Sequence, residues 1–218
     1  MNTPGSYAVI PTYDRLEELR RAVSAIQPQV DRVFVVHNGG PRPPAREGVE
    51  ILTHGEKPPN LSRLWNLGLD AAAEHAKQAG ADQWDVAVLN DDVIVPPGWF
   101  NICAHTMRKH GGAAACTQPA APRVLVHTEP GPINLHYRIC GYAFILRGEL
   151  GLRADETIRW WHGDDDLDWR SRKAGGTVVI PGQIEHLHPN EQTTGVLAAQ
   201  ANRDRATFSQ KWEGLLPW

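Results

Sequence analysis

Short apolar runs that stop abruptly in polar residues, with helical patterns between them, constrain this chain more than any other feature. YAVIP (7–11) runs into Thr12 and Tyr13, RVFVVHNGG (32–40) ends in His37-Asn38-Gly39, and VAVLN (86–90) opens onto Asp91 and Asp92. Unbroken apolar runs are what strands buried on both faces look like, and their alternation with helices is the pattern of an α/β sheet. DRLEELRRAVSAI places Leu16, Leu19, Val23 and Ile26 at helical spacing. After a Pro-rich loop, VEIL (49–52) predicts a third strand. A helix then starts at about Leu61, with Asn60 as its cap and Gly80 as its stop, and PGWFNICAHTMRKH predicts a further helix after the fourth strand.

Beyond Gly111 the pattern shifts to AAACT, RVLVH and YRICGYAFILR as strands, DDLDWRSRKAG as a helix, TVVIP as a strand, and a last helix within 194–212. The expected architecture is one domain over 1–218. Its first half, 1–110, is a nucleotide-binding, Rossmann-like, mostly parallel sheet flanked by helices, and its second half, 111–218, mixes strand and helix. A chain of 218 residues suits one sizeable core. Its net charge of -3 argues against a strongly basic, polyanion-binding surface. Three cysteines without CxxC spacing indicate neither a disulfide framework nor a zinc site, which favours a cytoplasmic setting, a host's cytoplasm if the chain is viral. No apolar run reaches the roughly 18 residues of a membrane span, so no membrane partner is expected; the oligomeric state stays open.

In an open α/β sheet, ligands sit beyond the carboxyl ends of the strands. Pro11-Thr12-Tyr13, His37-Asn38-Gly39 and Asn90-Asp91-Asp92 would therefore converge on one crevice. Carboxylates there suit Mg²⁺ or Mn²⁺ held jointly with substrate phosphates. Neither GxxxxGK[ST] nor GxGxxG is present, which argues against a P-loop and a dinucleotide site. A turn before Pro96-Pro97 would explain Asn90 to Asp92 equally well, through local hydrogen bonding.

A second acidic cluster, Asp164, Asp165, Asp166 and Asp168, opens a predicted helix. Helix capping and the dipole need only one or two acids, so a carboxylate is left to act as a general base. Trp160 and Trp161 just before it offer flat faces for a sugar ring or a base, or else pack in the core. His186 and His188 lie at alternate positions after TVVIP and could turn together toward a metal or a phosphate.

Taken in order, these segments resemble the family 2 glycosyltransferases of the GT-A fold. VIPTYDRLEELRRAVSAI resembles the opening strand, turn and helix, which implies donor contacts at Pro11, Thr12, Tyr13 and Arg15. VDRVFVVHNGG resembles the next nucleotide-contacting strand end, at Asn38 and Gly39. NLSRLWNLGLDAA resembles the helix start near the nucleotide, at Asn66. LNDDV resembles the metal-binding Asp-x-Asp element in an Asn-x-Asp form, which implies Asp92 as metal ligand with Asn90 and Asp91 beside it. GDDDLDWR resembles the acidic motif ending in Leu-x-x-Arg. Anchored on Leu167 and Arg170, it puts the catalytic base at Asp164, with Gly163 where Glu is usual and Asp165 as the rival. The histidine after the following strand resembles a metal or diphosphate ligand, filled by His186 or His188.

The resemblance implies inverting transfer from a nucleotide diphosphate sugar, a UDP-sugar foremost, with Mn²⁺ or Mg²⁺. The acceptor is a hydroxyl of a glycan, a protein, a small molecule or a 5-hydroxymethylpyrimidine in DNA. Two other classes compete: a nucleotidyltransferase, whose Gly-rich loop after the first strand is missing here, and a non-catalytic sugar or nucleotide binding module.

Overall fold

The computed structural model describes residues 4–188 and 198–217. In its first half, strands β1 (Gly5–Thr12), β2 (Arg32–His37), β3 (Val49–Thr53) and β4 (Trp84–Leu89) alternate with helices α1 (Leu16–Ile26) and α2 (Leu61–Gln78). A two-residue strand β5 (Val93–Ile94) and helix α3 (Trp99–Lys109) follow. Then come β6 (Ala114–Gln118), β7 (Leu125–His127), β8 (Ala143–Arg147), α4 (Gly163–Lys173), β9 (Thr177–Pro181), β10 (Glu185–His186) and α5 (Ala198–Lys211).

Eight strands form one sheet in the order β3-β2-β1-β4-β8-β6-β9-β7. Strands β1 to β4 are mutually parallel, as is the β6–β9 pair, whereas β8 runs antiparallel to both of its neighbours and β7 to β9. Both halves of the chain therefore share one mostly parallel sheet. The alternating side chains of its central strands feed two apolar layers. Ala8, Ile10, Val33, Val35, Ala87 and Leu89 pack with Leu19, Ala22, Val23 and Ile26 of α1 and with Phe100, Cys103 and Met107 of α3. Tyr7, Val9, Phe34, Val36, Val86 and Val88 pack on the other face against Leu64, Trp65, Leu69 and Ala72 of α2. Each large apolar side chain buried this way contributes about 1.5–3 kcal/mol.

α2 begins where its cap predicts: Asn60 Oδ1 accepts the Arg63 N–H at 3.1 Å. The first-half elements match the sequence reading closely, and the second half departs from it. The expected strand over 137–147 is ordered as β8 only from Ala143, because Gly141 and Tyr142 turn to meet other parts of the chain, as described below. α4 starts two residues before Asp165, at Gly163. Only the part of the last helix from Ala198 onward falls within the described residues. Among the described residues, no helix is long and apolar enough to cross a membrane.

Candidate active site

Because β2, β1 and β4 are parallel neighbours, their carboxyl ends lie side by side, and register pairs Thr12 directly with His37. Thr12 Oγ1 donates to Asp91 Oδ2 at 2.8 Å, which ties the end of β1 to the turn after β4. Burial, little offset by that bond and reinforced by the charge of Asp92, pushes the Asp91 carboxyl up to about 6. Its partner in sequence behaves oppositely. Burial also works against Asp92, but the neighbouring His186 ring and the Arg15 guanidinium outweigh it, holding Asp92 below the usual carboxylate range.

Asp92 is 3% exposed. Its Oδ2 pairs with Arg15 Nη1 at 2.8 Å, while Oδ1 is buried without a hydrogen bond and faces His186 Nε2 across 3.3 Å. A small antiparallel ribbon makes this approach: β10 pairs with β5 so that His186 lies opposite Val93, and the Leu187 N–H donates to the Asp92 carbonyl at 2.9 Å. The Tyr142 ring stacks on the imidazole, with centroids 4.8 Å apart and planes 27° apart. His188 takes a different partner, Glu18, whose Oε1 is 3.4 Å from Nε2. β10 ends at His186, so the strand alternation that predicted a shared direction for the two imidazoles stops there.

Among the described residues no group of three or more His, Cys, Asp or Glu side chains could hold a metal unaided. A buried carboxylate oxygen without a hydrogen bond, opposite an imidazole nitrogen, does fit a divalent cation that draws its remaining ligands from a substrate's phosphates. Asp92 and His186 are the residues that would hold it.

The other predicted donor contacts divide into two groups. Tyr13 is exposed and lies against Gly39 and Gly40, whose positive φ angles (122° and 72°) let the β2 turn close on it; a Cβ at Gly40 would sit 2.2 Å from the Tyr13 carbonyl oxygen. Pro11 is buried in β1, and the Asn90 N–H donates to the Tyr142 carbonyl at 2.8 Å. Asn38 and Asn66, by contrast, turn their carboxamides inward to the backbone, and Asn66 Nδ2 also donates to Glu156 Oε1 at 3.0 Å. Asn38 Oδ1 accepts from Glu56 N at 3.0 Å, and Asn66 brackets Ala154 through N–H···Oδ1 (2.8 Å) and Nδ2–H···O (3.0 Å) bonds. Both are buried, and each holds a loop in place.

The acidic motif separates its four carboxylates by environment. Asp164 is partly exposed, and its Oδ2 accepts the Gly141 N–H at 3.0 Å; a Cβ on Gly141 would lie 3.0 Å from that same oxygen. Asp165 is 2% exposed, paired with Arg138 and in contact with His162 Nδ1 at 2.8 Å. Asp166 is fully buried and receives Arg170 Nε at 2.8 Å, Trp212 Nε1 at 3.0 Å and Lys211 Nζ at 2.9 Å. Asp168 pairs with Arg172, both fully buried. Three of the four carboxylates are therefore internal ion pairs, and Asp164 alone of the four keeps solvent access. Trp160 is half-buried and Trp161 is exposed at 37%.

Sequence reasoning did not single out Gly141, Tyr142, Arg138 or Asp204. A glycine inside an apparent strand marks a close approach, which is the one signal that pointed to Gly141.

The sheet, with its 3-2-1-4 parallel half flanked by helices, defines a mixed α/β fold whose ligand edge ends in carboxylates. The family model for glycosyl transferase family 2 matches residues 7–166, and the chain belongs to that family. Its fold is similar to that in the crystal structure of S. aureus TarS 1-349, a glycosyltransferase of the GT-A fold, at a TM-score of 0.56 and 11% identity over 95% of this chain and 73% of that one. No curated protein matches the chain.

Proposed function

We propose that this chain transfers a sugar, with inversion, from a nucleotide diphosphate sugar to an acceptor hydroxyl. Family membership supports a glycosyl transfer role with a nucleotide-sugar donor. The observation that carries the finer reading is that one dipeptide lies between the two acidic clusters. Gly141 donates to Asp164, while Tyr142 stacks on His186 and accepts from Asn90. The carboxylate suited to metal and the carboxylate suited to proton abstraction are thereby braced against each other through two residues.

In this reading the nucleotide lies over the ends of β1, β2 and β4, against Thr12, Tyr13 and Gly39. Asp92 and His186 hold Mn²⁺ or Mg²⁺, which when bound neutralises charge on the donor diphosphate. Arg15, partly exposed beside Asp92, adds a fixed positive charge on the same side. Asp164 accepts the proton of the acceptor hydroxyl as that oxygen attacks the anomeric carbon. The bond from that carbon to the diphosphate oxygen breaks on the opposite face, and its electron pair leaves with the nucleoside diphosphate. Asp165 is a poor candidate for this step because Arg138 and His162 already engage it. A carboxylate is a weak base, so its contribution comes from placement, which the Gly141 N–H supplies.

Trp161, exposed just before the base, offers a stacking face to the acceptor. A panel of nucleotide sugars with Mn²⁺, a UDP-sugar first, tests the reading through release of nucleoside diphosphate. Glycan, protein, small-molecule and hydroxymethylated DNA acceptors then compete in the same assay. Release of pyrophosphate would point to nucleotidyl transfer, and donor binding without turnover to a binding module.

A further inference from the structure

We infer that Asp204 is a positioning residue for the loop that carries the base, an inference that rests on the transfer reading above. Asp204 sits on α5, beyond the residues matched by the family, and is fully buried. Its carboxylate accepts three consecutive backbone N–H groups of the segment leading to Asp164: Arg159 at 3.0 Å, Trp160 at 2.8 Å and Trp161 at 2.9 Å. Gln200 Nε2 donates the fourth bond at 2.7 Å. Three successive amides aimed at one point form an anion-binding nest, and here a side chain of the same protein fills it.

The bend this nest imposes passes into His162, whose φ of 64° is a left-handed value unusual for a residue other than glycine. α4 starts at the next residue, and Asp164 is its second residue. Apolar packing secures the same contact, for Phe208 of α5 is buried with Ile158 and Trp169, and its ring lies 5.5 Å from that of His162. Without the carboxylate, three part-buried N–H groups lose their acceptor, and the loop must rearrange to satisfy them. That rearrangement would shift Trp161 and draw Asp164 away from Gly141. The donor-side residues Thr12 and Asp92 stand on other elements and would keep their places.

The test compares Asp204→Asn with the wild type for metal-dependent donor hydrolysis, donor affinity by calorimetry and amide hydrogen exchange. The expected result is a turnover lower by about 10- to 100-fold, donor affinity within about twofold, and faster exchange confined to the amides of 159–161 and the start of α4. Wild-type turnover per folded molecule, a parallel loss of turnover and donor affinity, or unchanged exchange at 159–161 would overturn the inference. If Asp204→Asn does not fold, Asp204→Glu keeps the charge and displaces it by one methylene, and should show the same split in weaker form. A wild type that turns over no donor overturns the transfer reading instead, and the exchange measurement then decides whether Asp204 holds the loop.

Discussion

The backbone N–H of Gly141 donates to Oδ2 of Asp164 at 3.0 Å, and the absence of a side chain at Gly141 is what lets the two meet. Asp164→Asn should cut sugar transfer by about 10²- to 10⁴-fold, the usual worth of a positioned base, with donor affinity kept. Gly141→Ala should act in the same direction but less, because a methyl 3.0 Å from the carboxylate pushes it aside without removing it. Steady-state rates and calorimetry on the two variants check both, and a loss of donor binding in Asp164→Asn would contradict the assignment.

Asp92→Ala should abolish the metal-dependent part of donor binding. In the wild type, donor with Mn²⁺ at a hundredfold excess over its dissociation constant stabilises the fold by about 2.7 kcal/mol through mass action. A thermal-shift titration should show that stabilisation vanish in Asp92→Ala and weaken in His186→Ala, while His188→Ala, which removes a residue facing Glu18, should retain most of it. Equal losses in the two histidine variants would count against His186 as ligand.

The end of α5 is tied down by Lys211, whose ammonium lies 2.5 Å from Asp155 Oδ2. Burial would raise the Asp155 carboxyl, but hydrogen bonds from Lys211 and Thr157 and the Lys211 charge bring it down to about 2. A depressed folded value contributes stability that is present above the unfolded value near 4 and lost as the pH falls toward 2. Urea unfolding of wild type and Lys211→Met should therefore differ at pH 5 and converge by about pH 2. The part of the gap due to Asp155 should be modest, since that pair is partly solvated; Lys211 also contacts the fully buried Asp166 at 2.9 Å, which keeps Arg170 in the variant.

At the opposite end of β4, Asp85 is 3% exposed beneath Arg108, which also binds Glu149. Burial raises the Asp85 carboxyl to about 6 even with Arg108 donating to it. A raised folded value favours the fold fully below the unfolded value near 4, and this contribution is lost as the pH climbs through 6. Arg108→Met strands the buried carboxylate of Asp85, while Glu149 keeps Arg147 at 3.1 Å, and should destabilise by about 3–5 kcal/mol at pH 8. The loss should be smaller at pH 5, where Asp85 can take up a proton. Denaturant melts at the two pH values decide it, and an equal loss at both would show that Asp85 stays ionised throughout.

Much of the fold was legible because the relevant signals are local. Unbroken apolar runs named β1, β2 and β4, the spacing of Leu19, Val23 and Ile26 named α1, and Asn60 named the start of α2. Parallel pairing then brings Thr12, His37 and Asp92 to one edge without further information. The second half was less legible because its backbone is bent by contacts remote in sequence. YRICGYAFILR is apolar enough for one long strand, yet Gly141 turns toward Asp164 and Tyr142 toward His186, so β8 begins only at Ala143.

Residue types and spacing alone placed two acidic clusters and two histidines in the chain, because carboxylates at a strand end and beyond helix-capping need stand out against the cost of desolvating them. They could not rank the members. Asp165, Asp166 and Asp168 are as acidic as Asp164 in sequence, and only the packing of Arg138, Arg170, Lys211 and Arg172 around them makes three of them internal ion pairs and leaves Asp164 accessible. The same holds for His186, which the β5–β10 ribbon sets against Asp92 while His188 faces Glu18, and for Asp204, an ordinary helical aspartate until three amides from a distant loop converge on it. Local sequence determines which groups are present and which strands carry them. Burial and hydrogen-bond partners arise from contacts between distant segments, and the tertiary structure alone decided those.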